Sequence, residues 1–153
     1  MAFDLEAFSA PLTFNWTLSY RCNFSCDHCY SRDESCPELE TADILRIVDI
    51  LAEQQVPFIN FGGGEPLIRK DLYDVAAYAS AKGLNVSMNS NGWLLDRDAA
   101  LRLKDAGFKS VGISLDSADP VLHDDFRNMP GSWDRGVAAL DALAEVGLKS
   151  TMS

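Results

Sequence analysis

Residues 105–115 read DAGFKSVGISL, and this order of helix end, glycine and apolar run decides the fold. The same order recurs in AKGLNVSM, residues 81–88, and in EVGLKSTM, residues 145–152. In each, Gly83, Gly107 or Gly147 stands where a helix stops on a left-handed residue and a strand follows. Helical spacing of apolar residues appears between the strands: Ile44, Ile47, Val48 and Leu51; then Leu72, Val75, Ala76 and Ala79; then Val137, Leu140 and Ala144. Thr41, Asp71 and Asp96 are candidate N-caps. Strands are predicted at residues 14–18, 58–61, 85–90 and 110–115, with a fifth beginning near Lys149. Strands alternating with amphipathic helices make βαβ units and a parallel sheet, an α/β fold. Right-handed crossovers would curl the series into an open or closed barrel, or lay it out as a doubly wound sheet. Residues 31–40 read as a polar loop, and residues 128–132 as a turn.

The chain has 153 residues, of which 47% are hydrophobic, enough for one domain with a real core. Its formal charge is −10. No cluster of Lys and Arg is present to displace counterions from phosphates, which argues against a nucleic-acid partner. The acidic residues are scattered, as expected of a solvated surface. No apolar run is long enough to span a bilayer, and residues 1–14 lack a basic region followed by an apolar stretch. A cytoplasmic protein without a membrane partner is the expectation. Three of the four cysteines fall within eight residues, a placement that favours metal ligation over disulfides.

The chemistry-bearing segments follow predicted strands: CNFSCDHCY after the first, GGGEP after the second, NSNG after the third and SLDS after the fourth. In parallel βα folds the carboxyl ends of the strands form the functional face. Cys22, Cys26 and Cys29 lie on one short loop, where three thiolates can hold three irons of a cubane and leave the fourth iron open. A structural zinc site using these cysteines with His28 is the alternative. It suffers because His28 abuts Cys29 and because zinc ligands usually come as two separated pairs. On the cluster reading His28 is a loop residue. GGGEP lacks the Gly-Lys-Ser/Thr of a phosphate loop, and no Rossmann fingerprint occurs. Its glycines let the backbone approach a ligand closely, and Glu65 can accept hydrogen bonds from an ammonium group.

Together, LSYRCNFSCDHCYS, FGGGEPL and GISLDS resemble the radical S-adenosylmethionine (radical SAM) superfamily, from about Pro11 onward. The resemblance implies a partial (β/α)6 barrel, truncated at about the fifth strand. Residues 1–153 would then form an incomplete core domain of four βα units and the start of strand five. It implies a [4Fe–4S] cluster on Cys22, Cys26 and Cys29, and S-adenosylmethionine bound through its amino and carboxylate groups. Gly63, Gly64 and Glu65 would contact the amino group, and Tyr30 would pack near the adenine. Asn89, Asn91 and Ser114 match positions that contact the ribose or carboxylate, and Arg127 matches a carboxylate-binding arginine. Each of these also has a plainer reading: core packing for Tyr30, a turn for Asn-Gly, an idle surface cation for Arg127. The implied reaction is one-electron reduction of the cluster by a flavodoxin- or ferredoxin-like donor. Cleavage of the cofactor to methionine and a 5′-deoxyadenosyl radical follows, and the radical takes hydrogen from substrate. The style of the motifs is closest to the branch that modifies peptides or tetrapyrroles. Gly62 stands where many relatives carry Ser or Thr.

Several residues fall outside this scheme. Asp116 is expected either to reach the substrate or to cap the next helix. Cys36 reads as a bystander thiol and His123 as a helix-surface residue. Trp16, Trp93 and Trp133 read as core or rim packing. Two other classes remain open: a non-catalytic module that holds the cluster or cofactor, and a zinc-stabilised interaction domain. An unpaired sheet edge near residue 149 leads to the expectation that this chain assembles a cluster but turns over poorly by itself.

Overall fold

The computed structural model describes residues 10–31 and 37–153. The order is β1 (Thr13–Ser19), α1 (Thr41–Glu53), β2 (Phe58–Gly63), a 3-10 turn (Pro66–Ile68), α2 (Leu72–Ala81), β3 (Asn85–Ser90) and α3 (Arg97–Asp105). There follow β4 (Phe108–Ile113), α4 (Pro120–Arg127), α5 (Ser132–Glu145) and β5 (Lys149–Met152). All strand pairs are parallel, and the sheet runs β1-β2-β3-β4-β5. A doubly wound sheet would reverse its order at some strand. This one does not, so right-handed crossovers place every helix on one side and the sheet curls as part of a barrel.

Alternation within the strands separates two faces. Ile59 and Phe61, Val86 and Met88, and Val111 and Ile113 are buried in one core with Ile44, Val48, Leu72, Val75, Leu103 and Leu143 from the helices. Each such side chain contributes about 1.5–3 kcal/mol when fully buried. The intervening residues are polar or small: Asn15, Thr17, Asn60, Gly62, Ser87 and Asn89. On that second face Ser87 Oγ donates to Asn60 Oδ1 at 3.0 Å. The polar face opens toward the carboxyl ends of the strands.

Gly83, Gly107 and Gly147 have φ of 91°, 89° and 69°, the left-handed helix stops that the sequence pattern requires. Asp96 caps α3 by accepting from Ala99 N–H at 2.8 Å. Thr41 and Asp71 do not cap in this way. Thr41 is the first residue of α1, and its hydroxyl donates to Asp71 at 2.6 Å. The Asp71 carboxylate also takes the buried Arg69, at 2.9 Å, and so joins α1 to the turn after β2. In α5 the buried face is Gly136, Ala139, Ala142 and Leu143 rather than Val137, Leu140 and Ala144. Small residues face inward there because the loop after β3 lies close: a Cβ on Gly92 would stand 3.1 Å from Gly136 Cα.

Candidate functional site

Beyond β1 the chain enters the cysteine loop. Cys29 N–H donates to Cys26 O at 3.2 Å, which tightens the loop into one turn. Phe24 is buried beneath it and meets Trp93 edge-on, with ring centroids 5.6 Å apart. On the outer side, His28 stacks flat on Phe126 of α4 at 3.9 Å. All three cysteines line one cavity of about 360 Å³ at the carboxyl ends of the strands. Among the described residues no three His, Cys, Asp or Glu side chains are gathered closely enough to hold a single metal ion. Burial raises the thiol pKa of Cys22 and of Cys26, and at Cys26 the Arg127 guanidinium opposes the rise. Metal ligation there would release protons. Cys36 lies outside the described residues.

The glycine turn forms a second stretch of wall, and Gly62, Gly63 and Gly64 all line the cavity. Gly63 has φ of 113°, and a Cβ on either Gly63 or Gly64 would collide with the backbone oxygen of Ser19 or of Arg21. Two short backbone bonds explain that closeness: Gly64 N–H to Ser19 O at 2.7 Å, and Glu65 N–H to Arg21 O at 2.8 Å. A Cβ on Gly62, by contrast, meets nothing within 4 Å.

Glu65 is fully buried and points beneath the turn. Its Oε1 accepts from Leu67 N–H at 3.1 Å and Ser90 Oγ at 2.9 Å, and its Oε2 from Asn91 N–H at 2.8 Å. The carboxylate expected to meet an ammonium group therefore does not line the cavity; its bonds tie the glycine turn to the end of β3. Burial pushes the carboxyl pKa up against the pull of these donors.

Asn91 is similarly engaged. Its Oδ1 accepts from Trp93 N–H at 3.0 Å and its Nδ2 donates to Asn23 Oδ1 at 2.8 Å, so it laces the β3 rim to the cysteine loop. Asn89 and Ser114 face the same cavity. The Asn89 amide lies where a Cβ on Gly112 would be, so the glycine of VGISL makes room for it. Tyr30 also lines the cavity but is 98% exposed, which places it at the mouth and rules out core packing.

Arg127 reaches the cavity from the end of α4. Asp116 holds it from behind, with Arg127 Nε 2.5 Å from Asp116 Oδ2 and Nη2 3.1 Å from Oδ1. Asp116 therefore does not cap α4; Asp119 does, accepting from Val121 N–H at 2.9 Å. His123 is no surface residue. It is 1% exposed, and its Nδ1 accepts from Asp116 N–H at 3.2 Å. Burial and the nearby Arg127 cation lower its pKa, against the opposing pull of Asp116 and Asp124. Its i, i+4 relation to Arg127 in a short polar helix was the available signal, since it puts both on one face. Nothing in the local sequence pairs Asp116 with Arg127. Trp16 packs on Phe14 and Phe61, and Trp133 Nε1 donates to Ser117 O at 3.2 Å, as packing residues of core and rim.

Three thiols on one wall, a bare backbone turn on the other and a single guanidinium at the edge suit an iron–sulfur cubane with an open iron beside a small zwitterion. Comparison with known proteins agrees, because the family profile of the radical SAM superfamily matches residues 16–153. The chain belongs to that superfamily. It therefore uses a [4Fe–4S] cluster and S-adenosylmethionine. It is similar to Fe-coproporphyrin III synthase of Methanosarcina barkeri, with 40% identity over 137 residues, covering 88% of this chain and 34% of that protein. It is also similar to the mycofactocin maturase MftC of Mycobacterium tuberculosis, 39% identical over 142 residues, 90% of this chain and 36% of that one. Streptococcus suis SuiB, solved bound to its precursor peptide SuiA, shares the fold with a TM-score of 0.80 at 20% identity, over 93% of this chain and 32% of SuiB. The chain thus spans about a third of the length of these relatives.

Proposed function

We propose that this chain is the radical-generating part of a radical SAM enzyme. Cys22, Cys26 and Cys29 would hold the cluster, which, once reduced by one electron from a donor protein, would pass that electron to the cofactor and split it into methionine and a 5′-deoxyadenosyl radical. The backbone of Gly63 and Gly64 receives the ammonium, and Glu65 holds that turn from behind through its bonds to Leu67, Ser90 and Asn91. Arg127 takes the carboxylate, Asn89, Asn91 and Ser114 line the ribose, and Tyr30 closes over the adenine. The observation that carries this reading is the convergence of the three thiols and the glycine turn on one cavity of about 360 Å³, within the range of small-molecule sites.

The substrate is read as a peptide or a tetrapyrrole: one similar protein is named a coproporphyrin synthase, and SuiB, which shares the fold, is solved with a precursor peptide. The electron donor is a flavodoxin- or ferredoxin-like protein. Among the described residues no helix is long and apolar enough to cross a membrane, and a cytoplasmic location is proposed with it.

Anaerobic reconstitution with iron and sulfide tests the assignment. Expected are about four irons and four sulfides per chain, and 5′-deoxyadenosine after addition of dithionite and cofactor. Zinc retention without sulfide uptake would instead support an interaction domain. A cluster without 5′-deoxyadenosine would support a binding module.

A further inference from the structure

The cavity wall has an electrostatic peculiarity. The chain carries 23 Asp and Glu against 13 Lys and Arg, yet among the described residues no Asp or Glu side chain lines the cavity and Arg127 is the one Lys or Arg that does. Arg127 is mostly buried, with 13% of its side chain exposed. It cannot swing freely, because Asp116 grips two of its nitrogens at 2.5 and 3.1 Å and His123 holds the Asp116 backbone. His28 stacked on Phe126, the residue beside Arg127, clips α4 to the cysteine loop. The guanidinium is thereby held on the same cavity wall as Cys22, Cys26 and Cys29, at the edge of the cysteine loop.

We infer that Arg127 sets the reduction potential of the cluster, with Asp116 as its counterweight, in addition to any contact it makes with the cofactor. This rests on the cluster assignment above. Reduction adds an electron to an assembly already made anionic by three thiolates. A fixed cation on the cavity that the three thiolates share favours the reduced state, and a carboxylate behind that cation offsets part of the effect. Cluster potentials respond to net charge and to hydrogen bonds on the sulfurs, and in a poorly hydrated site such charges are weakly screened.

The test is EPR-monitored potentiometry on the reconstituted chain without S-adenosylmethionine, so that carboxylate binding plays no part. Arg127→Gln is expected to move the midpoint to lower potential, Arg127→Lys to restore most of it by keeping the charge, and Asp116→Asn to move it higher. Iron content and thermal midpoint are measured alongside. An Arg127→Gln midpoint equal to wild type, at equal iron content, overturns the inference and leaves the cluster assignment standing. If Arg127→Gln fails to hold iron, Asp116→Asn decides: a midpoint at or below wild type is equally fatal. A wild-type chain with no cubane signal defeats the cluster assignment itself, and the inference with it.

Discussion

The two walls of the cavity are held by different means. The glycine wall is tied by the chain itself: two backbone bonds under 3 Å at Gly64 and Glu65, and a buried carboxylate receiving three donors. Among the described residues the cysteine wall carries the backbone bond from Cys29 to Cys26 at 3.2 Å and a bond from Phe24 N–H to Cys22 Sγ at 3.4 Å. Side chains of distant elements add to its order: Asn91 on Asn23, Trp93 against Phe24, Phe126 beneath His28. One wall is therefore preorganised by folding, and the other is completed by its ligand, as metal loops generally are.

The largest test of this contrast is Glu65→Leu beside Cys26→Ala. Leucine leaves three buried donors unpaired, at about 1 kcal/mol or more each. The metal-free chain should lose about 3 kcal/mol, or about 6–12 °C in thermal midpoint. Cys26→Ala should cost under about 1 kcal/mol in the same measurement while abolishing most iron uptake, as should Cys22→Ala and Cys29→Ala but not Cys36→Ala. Equal destabilisation by the two substitutions would erase the distinction between the walls.

A middle-sized effect is expected at the base of the cysteine wall. Asp124 on α4 accepts from Gly131 N–H, Ser132 Oγ and Trp133 N–H at 2.5–2.9 Å and so caps α5 from outside. Desolvation opposes its ionisation, but these bonds together hold its carboxyl below the usual range. Its stabilisation is accordingly complete above the ordinary carboxylate pKa and is lost as pH falls through the lowered one. Asp124→Asn should cost about 1 kcal/mol at neutral pH. Denaturant titrations of the two proteins should converge toward strong acid; a gap that persists there would assign the effect to shape.

The smallest effect is expected on the glycine wall. Gly62→Ser places its side chain in open space, so stability should stay within about 0.5 kcal/mol. A thermal midpoint several degrees lower would mean that the wall is closed at Gly62 as it is at Gly64.

These contrasts mark what local sequence carries. The strands were legible because apolar residues alternate and left-handed glycines precede β3, β4 and β5; β3 matches its predicted span, residues 85–90. β4 starts at Phe108, two residues before the predicted start, because the strand begins directly after the Gly107 stop. It ends at Ile113, and the Ser114 N–H then turns to Ser90 O at 3.0 Å. The cysteines, glycines and Arg127 were legible as chemistry in motif order. The burial of His123, the Asp116–Arg127 pair and the three donors on Glu65 were not. Each depends on segments that only the crossover geometry brings together, and a short polar helix has no apolar period to reveal its inward face.

The sequential strand order also has a temporal consequence. The crossovers through residues 64–84 and 91–107 are short, whereas those through residues 20–57 and 114–148 are long. Loop closure grows more costly with length, so β2, β3 and β4 are expected to join first, with β1 and β5 added at the flanks. The cysteine loop lies inside the long first crossover. Its thiols would therefore meet the glycine turn late in folding, onto a rim already built, and pulsed hydrogen exchange should protect Val86 and Met88 before Trp16.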